Sequence, residues 1–335
     1  MDTRAQATNA AGTVQQPPPL VGSSSAMNEV REQIDVAARS DEPVLILGET
    51  GTGKELVARW VHSKSSRGSR PLSVINCAAI PVDLVHSELF GHVAGSFTGA
   101  RRSRAGKLRA ATGSSVFLDE ICSAPADLQA ALLRTVEYGD LQPVGSDGQT
   151  SKADVRFIAA TNKAASTLRC GELLRMDLLY RLAGTSIRVT PLRERKEDIP
   201  VLARHFLRRA ARRYGVEKRL SASAMRACME HDYPGNVREL RQLLLAAYAR
   251  SPGDVIEELG TSNPLGPAIV SSPRHHAGTA PEFALYPIIR EHIVRTLAEA
   301  RGNVSRCARM LEIPRSTLQH HLTKYGIAAD ALRTD

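Results

Sequence analysis

The sequence predicts an α/β fold, a parallel sheet covered by helices, with wholly helical segments after it. Three observations predict it. Four short apolar runs, PVLILG (43–48), LSVIN (72–76), SSVFLDE (114–120) and VRFIAATN (155–162), have the length and composition of strands. Stretches with helical spacing follow them, among them GKELVARWVHSK and LQAALLRTVEYG, as βα alternation requires. From about 195 to 250 the pattern turns helical throughout, which predicts a small helical lid.

Composition bounds the function. With 335 residues, 42% hydrophobic and 24% charged, the chain can bury the cores of folded domains, so disorder throughout is excluded. A net charge of +9 favours a polyanion. Aromatic content of 4% argues against the stacking platforms that hold single strands, which leaves duplex DNA as the better partner. Cys77, Cys122, Cys170, Cys228 and Cys307 are odd in number and scattered, without a CxxC pair, so reduced thiols are expected instead of a disulfide framework or zinc site. No stretch approaches the ~20 apolar residues of a membrane span, and the N-terminus lacks a signal peptide's apolar run. A cytoplasmic protein with no membrane partner is expected.

Along the chain, residues 1–20 read as a disordered arm, with no room for a sensory domain. Residues 21–255 form the α/β part (about 21–194) and the lid (about 195–255). Residues 256–281 gather Pro, Gly and Ser as a linker, and 282–335 are helical again.

The strongest motif joins the first strand to the first covering helix: Gly48, Glu49, Thr50, Gly51, Thr52, Gly53, Lys54 and Glu55. A glycine-rich turn there lets backbone N–H groups wrap a polyphosphate at a helix N-terminus, while Lys54 bridges the β and γ phosphates of ATP. The general pattern ends in Ser or Thr, a Mg²⁺ ligand. Glu55 stands in that place, so Mg²⁺ must rely on other groups. Asp119, at the end of SSVFL, would hold Mg²⁺ directly or through water, and Glu120 would polarise the attacking water. Asn162 ends another strand, where its amide could sense the γ phosphate or hold that water.

In the tail, PIIREHIVRTLAEA (287–300) has helical spacing, Gly302-Asn303 breaks it, and two short helices follow around Glu312-Ile313-Pro314. This predicts a helix-turn-helix with its second helix in the major groove. Arg315, Ser316, Thr317, Gln319, His320 and Lys324 are the groove or phosphate candidates.

These segments resemble the AAA+ ATPase domain of bacterial enhancer-binding proteins, the NtrC-type activators of sigma-54 RNA polymerase, over roughly 20–255 and again in the tail. GETGTGKE is similar to the family's phosphate loop, where Glu commonly replaces Ser or Thr. ELFGHVAGSFTGA (88–100) resembles its most specific signature, ELFGH followed by the GAFTGA loop. The resemblance implies that this loop moves with the nucleotide state and presses Phe97 and Thr98 on sigma-54. Ser96 replaces the usual Ala. The basic run Arg101, Arg102, Arg104, Lys107 and Arg109 is either a solvated face or a contact with promoter DNA.

Further roles are implied position by position. Asn76, in NCAAIP, matches the switch asparagine that restrains Glu120 until the γ phosphate is sensed. LRMDLLYRL (174–182) is similar to FRxDLYYRL, which makes Arg175 and Arg181 candidate fingers into a neighbour's site, and so implies a ring, a hexamer. YPGNVREL (233–240) resembles WPGNxREL, with Arg238 touching nucleotide in cis and Tyr233 in place of Trp. Two departures bear on coupling: Arg109 stands where Glu is usual, and LQPVGSDG lacks the Arg and second Gly of ERVGG.

The tail resembles the Fis-type DNA-binding domain. The implied function is an ATP-dependent activator that binds upstream enhancer DNA and remodels closed complexes of the sigma-54 RNA polymerase holoenzyme into open ones. The alternative is a DNA-binding regulator of ordinary polymerase whose ATPase domain only assembles it. Without a receiver, the chain resembles short types such as phage-shock and Hrp regulators, with control expected from expression level or an inhibitory protein in trans.

Overall fold

The computed structural model of the chain describes residues 16–96, 100, 102–146, 148, 150–259, 293, 296–297, 300, 303–311, 318 and 322. The chain divides into two compact units, Met1–Val270 and Ser271–Asp335. Among the described residues no helix is long and apolar enough to cross a membrane.

In the first unit, α1 (Ser25–Ala38) precedes β1 (Val44–Leu47), α2 (Lys54–Lys64), β2 (Ser73–Asn76) and α3 (Val82–Phe90). A hairpin of β3 (Gly91–His92) and β4 (Arg104–Ala105) leads to α4 (Lys107–Ala110), β5 (Ser115–Asp119) and α5 (Ala126–Tyr138). A second hairpin of β6 (Asp140–Leu141) and β7 (Ser151–Lys152) precedes β8 (Arg156–Thr161), α6 (Ala165–Leu168), α7 (Met176–Leu182) and β9 (Thr185–Arg188). The central sheet is parallel, in the order β2-β5-β8-β1-β9.

The four apolar runs are thus β1, β2, β5 and β8, and β9 adds a fifth strand. Side-chain alternation sends β residues to two cores. Val44, Ile46, Phe117, Ile158 and Ile187 pack with Met27, Ile34, Val57 and Val61 of α1 and α2. Leu45, Ile75, Val116, Leu118 and Ala159 pack on the other face with Leu89, Leu128, Leu132 and Leu178 of α3, α5 and α7. Every residue of β8 is buried, as a strand covered on both faces must be.

The lid consists of α8 (Ile199–Tyr214), α9 (Ala222–Glu230) and α10 (Asn236–Arg250), tied by the short parallel pair β10 (Arg219–Leu220) and β11 (Val255–Ile256). Leu202, Leu207, Leu240, Leu244 and Tyr248 form its core. Tyr233 is buried there, and its hydroxyl donates to Cys228 O at 2.8 Å, so the phenol satisfies its polar end inside an apolar shell.

Two expected boundaries move. The sequence places residues 16–20 in the arm, yet Trp60 Nε1 donates to Pro18 O at 2.8 Å and Leu20 packs against the α1–α2 core. Residues 256–259 were assigned to the linker, yet Ile256 and Leu259 are buried in the lid core. In both places one or two apolar side chains sit within a Pro/Gly-rich stretch, and burial of those few outweighs the flexible composition around them. Residues 1–15 and 260–281 of the expected arm and linker lie outside the described residues.

The second unit has its own small core of Ile293, Leu297, Ala300, Cys307, Ala308, Leu318 and Leu322. Helix α11 (Val304–Met310) starts behind Asn303, whose side-chain oxygen accepts from Arg306 N at 3.0 Å and so caps it. The six DNA-contact candidates, Arg315, Ser316, Thr317, Gln319, His320 and Lys324, lie outside the described residues.

Candidate functional site

Parallel strands place their carboxyl ends on one edge, and β1, β5 and β8 deliver the phosphate loop, the two carboxylates and Asn162 to it. The loop 48–53 closes on its own backbone: Thr52 Oγ1 donates to Glu49 O at 2.8 Å, and Lys54 Nζ donates to Gly48 O at 2.8 Å and Glu49 O at 3.2 Å. Lys54 is only 6% exposed. Burial lowers its pKa, against the opposing pull of Glu120 and Asp119. Glu120 Oε1 lies 3.8 Å from Lys54 Nζ.

Asp119 ends β5, and its carboxylate accepts from Glu120 N at 3.1 Å. Burial, and then the Glu120 charge, push its pKa up. Glu120 stands at φ 52°, a left-handed conformation that costs a side-chain-bearing residue about 1–3 kcal/mol and turns the carboxylate back toward the strand ends. Asn162 N donates to Glu120 Oε2 at 3.4 Å, and Asn162 Nδ2 donates to Thr50 Oγ1 at 3.2 Å. Asn162 therefore links the Glu120 carboxylate, through its backbone, to the phosphate loop, through its side chain. An electron-rich edge of Asp119 and Glu120 fits Mg²⁺, which takes one or two carboxylates and completes its shell with waters and substrate phosphates. Among the described residues no group of three or more His, Cys, Asp or Glu could hold a metal by itself.

The lid closes the loop from the other side. Arg238 N donates to Gly51 O at 3.3 Å, and a Cβ on Gly51 would stand 2.2 Å from Gly235 O, so only glycine permits this approach. Asn236 Nδ2 donates to Glu49 Oε2 at 3.1 Å and Thr50 O at 3.0 Å, while its side-chain oxygen accepts from Leu192 N at 2.8 Å. Arg193 grips the same Glu49 carboxylate with two bonds, 2.8 and 2.6 Å, and this holds the Glu49 pKa down. Gly235 and Asn236 stand in the YPGNVREL motif without an assigned contact, and Arg193 lies in no motif of the sequence. Asn236 and Glu49 are 187 residues apart, and no local pattern announces such a contact.

A cleft of about 990 Å³ joins these parts, lined by Thr50, Lys54, Glu55, Asp119, Glu120 and Arg238 among others. Glu55 points outward to Arg59 at 2.7 Å. Asn76 also lines the cleft, but its side-chain oxygen accepts from Ala78 N at 2.9 Å, and among the described residues it makes no hydrogen bond to Glu120. Arg175 and Arg181 do not line it. They are exposed on the α7 segment, paired with Asp177 at 2.8 Å and Glu137 at 2.7 Å.

The two hairpins dock on each other. Val93 N donates to Val144 O at 3.0 Å and Val144 N to Gly91 O at 2.9 Å, and Ser96 lies against Gly145. Phe97 and Thr98 lie outside the described residues. Arg104 and Lys107 of the basic run pair with Glu88, at 2.8 and 3.2 Å.

Comparison with known proteins fits this geometry. Residues 20–188 match the sigma-54 interaction domain, 193–264 the AAA+ ATPase lid domain, and 290–325 the Fis family of bacterial regulatory proteins. The chain is 40% identical over 323 residues to the anaerobic nitric oxide reductase transcription regulator NorR of Escherichia coli O81 (strain ED1a), covering 91% of this chain and 62% of that protein. It is 41% identical over 306 residues to the transcriptional regulatory protein ZraR of Salmonella typhimurium (strain LT2), covering 91% of this chain and 68% of ZraR. Among solved structures, NtrX from Brucella abortus in complex with ADP superposes with a TM-score of 0.65 at 30% identity, covering 92% of this chain and 69% of that one. NtrX with ATP gives 0.64 at 29%, covering 94% and 71%. The chain belongs to the family of sigma-54-interacting transcription regulators, in which an AAA+ domain and its lid precede a Fis-type helix-turn-helix.

Proposed function

We propose that the protein hydrolyses ATP to remodel sigma-54 RNA polymerase from the closed to the open complex while bound to upstream DNA. The observation that carries this reading is the convergence of Lys54, Asp119, Glu120 and the lid's Arg238 on one cleft, with Asn162 hydrogen-bonded to Glu120 and Thr50. The polyphosphate lies along the backbone N–H groups of 48–53 at the N-terminus of α2, and Lys54 releases the Gly48 and Glu49 carbonyls to reach the β and γ phosphates. Asp119 would hold Mg²⁺, which when bound would supply positive charge to the phosphate oxygens. Glu120 takes the proton of the attacking water, and Asn162 orients that water or the γ phosphate. Asn76 exchanges its Ala78 bond for one to Glu120 as the switch. Arg175 and Arg181 leave their exposed carboxylate partners to enter a neighbour's cleft in a ring oligomer. Phe97 and Thr98 carry the resulting movement to sigma-54.

The test is ATP-dependent open-complex formation on a sigma-54 promoter, with the natural protein beside Thr98→Ala. Remodelling predicts that Thr98→Ala abolishes opening while ATP hydrolysis and DNA binding persist. Activation of ordinary polymerase, unaffected by that substitution, would instead establish a DNA-binding regulator whose AAA+ domain serves assembly.

A further inference from the structure

Helix α8, IPVLARHFLRRAARRY, carries Arg204, Arg208, Arg209, Arg212 and Arg213 and not one acidic residue. Its Ile199, Leu202, Ala203, Leu207 and Ala210 are buried in the lid, and all five arginines are exposed on the remaining surface. Some exposed arginines elsewhere in this unit have acids beside them, as Arg59 has Glu55, Arg104 Glu88, Arg175 Asp177, Arg181 Glu137 and Arg193 Glu49. Others, such as Arg134 and Arg226, stand singly among the described residues; α8 differs in gathering five on one helix. Among the described residues none of the five on α8 has an ion-pair partner.

The arrangement works against the helix that bears it. Arg204, Arg208 and Arg212 follow one another at i, i+4, as do Arg209 and Arg213, and like charges at that spacing repel. Arg212 and Arg213 lie in the last turn, where the helix dipole favours cations; Arg204 and Arg208 lie before it and gain nothing from the dipole. His205 sits among them, its pKa lowered by burial and then by Arg209 and Arg212. A surface with this much uncompensated positive charge is complementary to a polyanion. Two of the five have local roles as well: Arg209 lines the nucleotide cleft, and Arg213 stacks over Tyr214 at 5.5 Å. That leaves the column Arg204, Arg208 and Arg212, whose guanidinium groups step about 6 Å at a time along the helix. A duplex presents one charge per about 1.7 Å of its axis, so a column about 12 Å long faces about seven phosphate charges.

We infer that the outer face of α8 is a second, sequence-independent contact with the phosphate backbone of duplex DNA, distinct from the Fis-type segment. Duplex DNA is the polyanion chosen because residues 290–325 match a DNA-binding family, and the inference rests on the DNA-binding reading for that alone. The contact adds affinity and no sequence preference, since phosphates are the same at every step.

The experiment measures binding of the full chain to a random-sequence duplex as a function of salt, for the natural protein and for Arg204→Gln/Arg208→Gln/Arg212→Gln. Three lost phosphate contacts lower the slope of log K against log salt by about 2.7. Between 50 and 200 mM salt the natural protein then loses about 40-fold more affinity than the variant. The matching triple Lys variant keeps the natural slope, and ATP hydrolysis is unchanged in both. Sedimentation is run in parallel. An unchanged slope overturns the inference: with altered assembly, the arginines face another copy of the chain, and with unaltered assembly they face only solvent. Because the duplex contains no chosen site, failure of specific recognition by the helix-turn-helix leaves this readout intact.

Discussion

Asn236 is fully buried at φ 53°, and its side chain makes three hydrogen bonds, to Leu192 N, Glu49 Oε2 and Thr50 O. Replacing it separates two effects. Asn236→Ala strands buried backbone groups, a loss of about 1–3 kcal/mol, and keeps a Cβ in the left-handed region, about 1–2 kcal/mol less favourable there than glycine. Asn236→Gly loses the same bonds without that strain. Chemical denaturation is expected to place both below the natural protein, with the Ala variant about 1 kcal/mol lower than the Gly variant; equal stabilities would mean that the backbone is not held left-handed. The residue scale is also where sequence reading divides most sharply. Asp119, Glu120 and Asn162 were legible because each stands at the end of an apolar run, where strand geometry sends it to the ligand-binding edge, and Lys54 because it closes the glycine-rich loop that follows such a run. Arg193 and Asn236 were not, since their meaning lies in a shared partner, Glu49, that the fold brings in from far along the chain.

At the scale of elements, the buried central strands could be read because burial on both faces gives an unbroken apolar run, as in SVFLD and RFIAAT. β9, TSIR, has one buried residue of four and lies at the sheet edge, so its text resembles a loop. The paired hairpins are shorter still, two residues per strand, and no periodicity can reveal them. On the proposed function, their junction is where movement would pass toward the loop assigned to sigma-54. Gly145 has φ 76°, and a Cβ there would meet Ser96 Cβ at 2.4 Å. Gly145→Ala therefore combines backbone strain with a clash of two main-chain-proximal carbons, and the β3–β4 hairpin must lift from β6–β7. The cost is about 1–3 kcal/mol, confined to the hairpins. Hydrogen exchange is expected to show faster opening at Val93 N and Val144 N with the central sheet unchanged, and open-complex formation to fall more than ATP hydrolysis. Unaltered exchange at both amides would show that the two hairpins are not coupled through this contact.

At the scale of the whole molecule, the cleft of one chain holds Lys54, Glu120 and Arg238 but neither Arg175 nor Arg181. Those two arginines are exposed and rest against Asp177 and Glu137, and ion pairs screened by solvent in this way are weak enough to be exchanged for a phosphate. A head-to-tail ring lets each copy present α7 to the next copy's cleft, because one heterologous contact repeats around a closed rotation. Mixing tests this directly. Glu120→Gln and Arg175→Ala subunits are each expected to be inert alone, the first lacking the residue that activates water, the second lacking the finger. In an equal mixture assembled at random, about a quarter of interfaces join an intact Glu120 to an intact Arg175, so hydrolysis should recover to about a quarter of the natural rate. A mixture as inert as its components would mean that Arg175 acts on its own chain or not at all on the nucleotide. Recovery would place the complete active site between two chains, with the carboxylates supplied by one and the finger by the other.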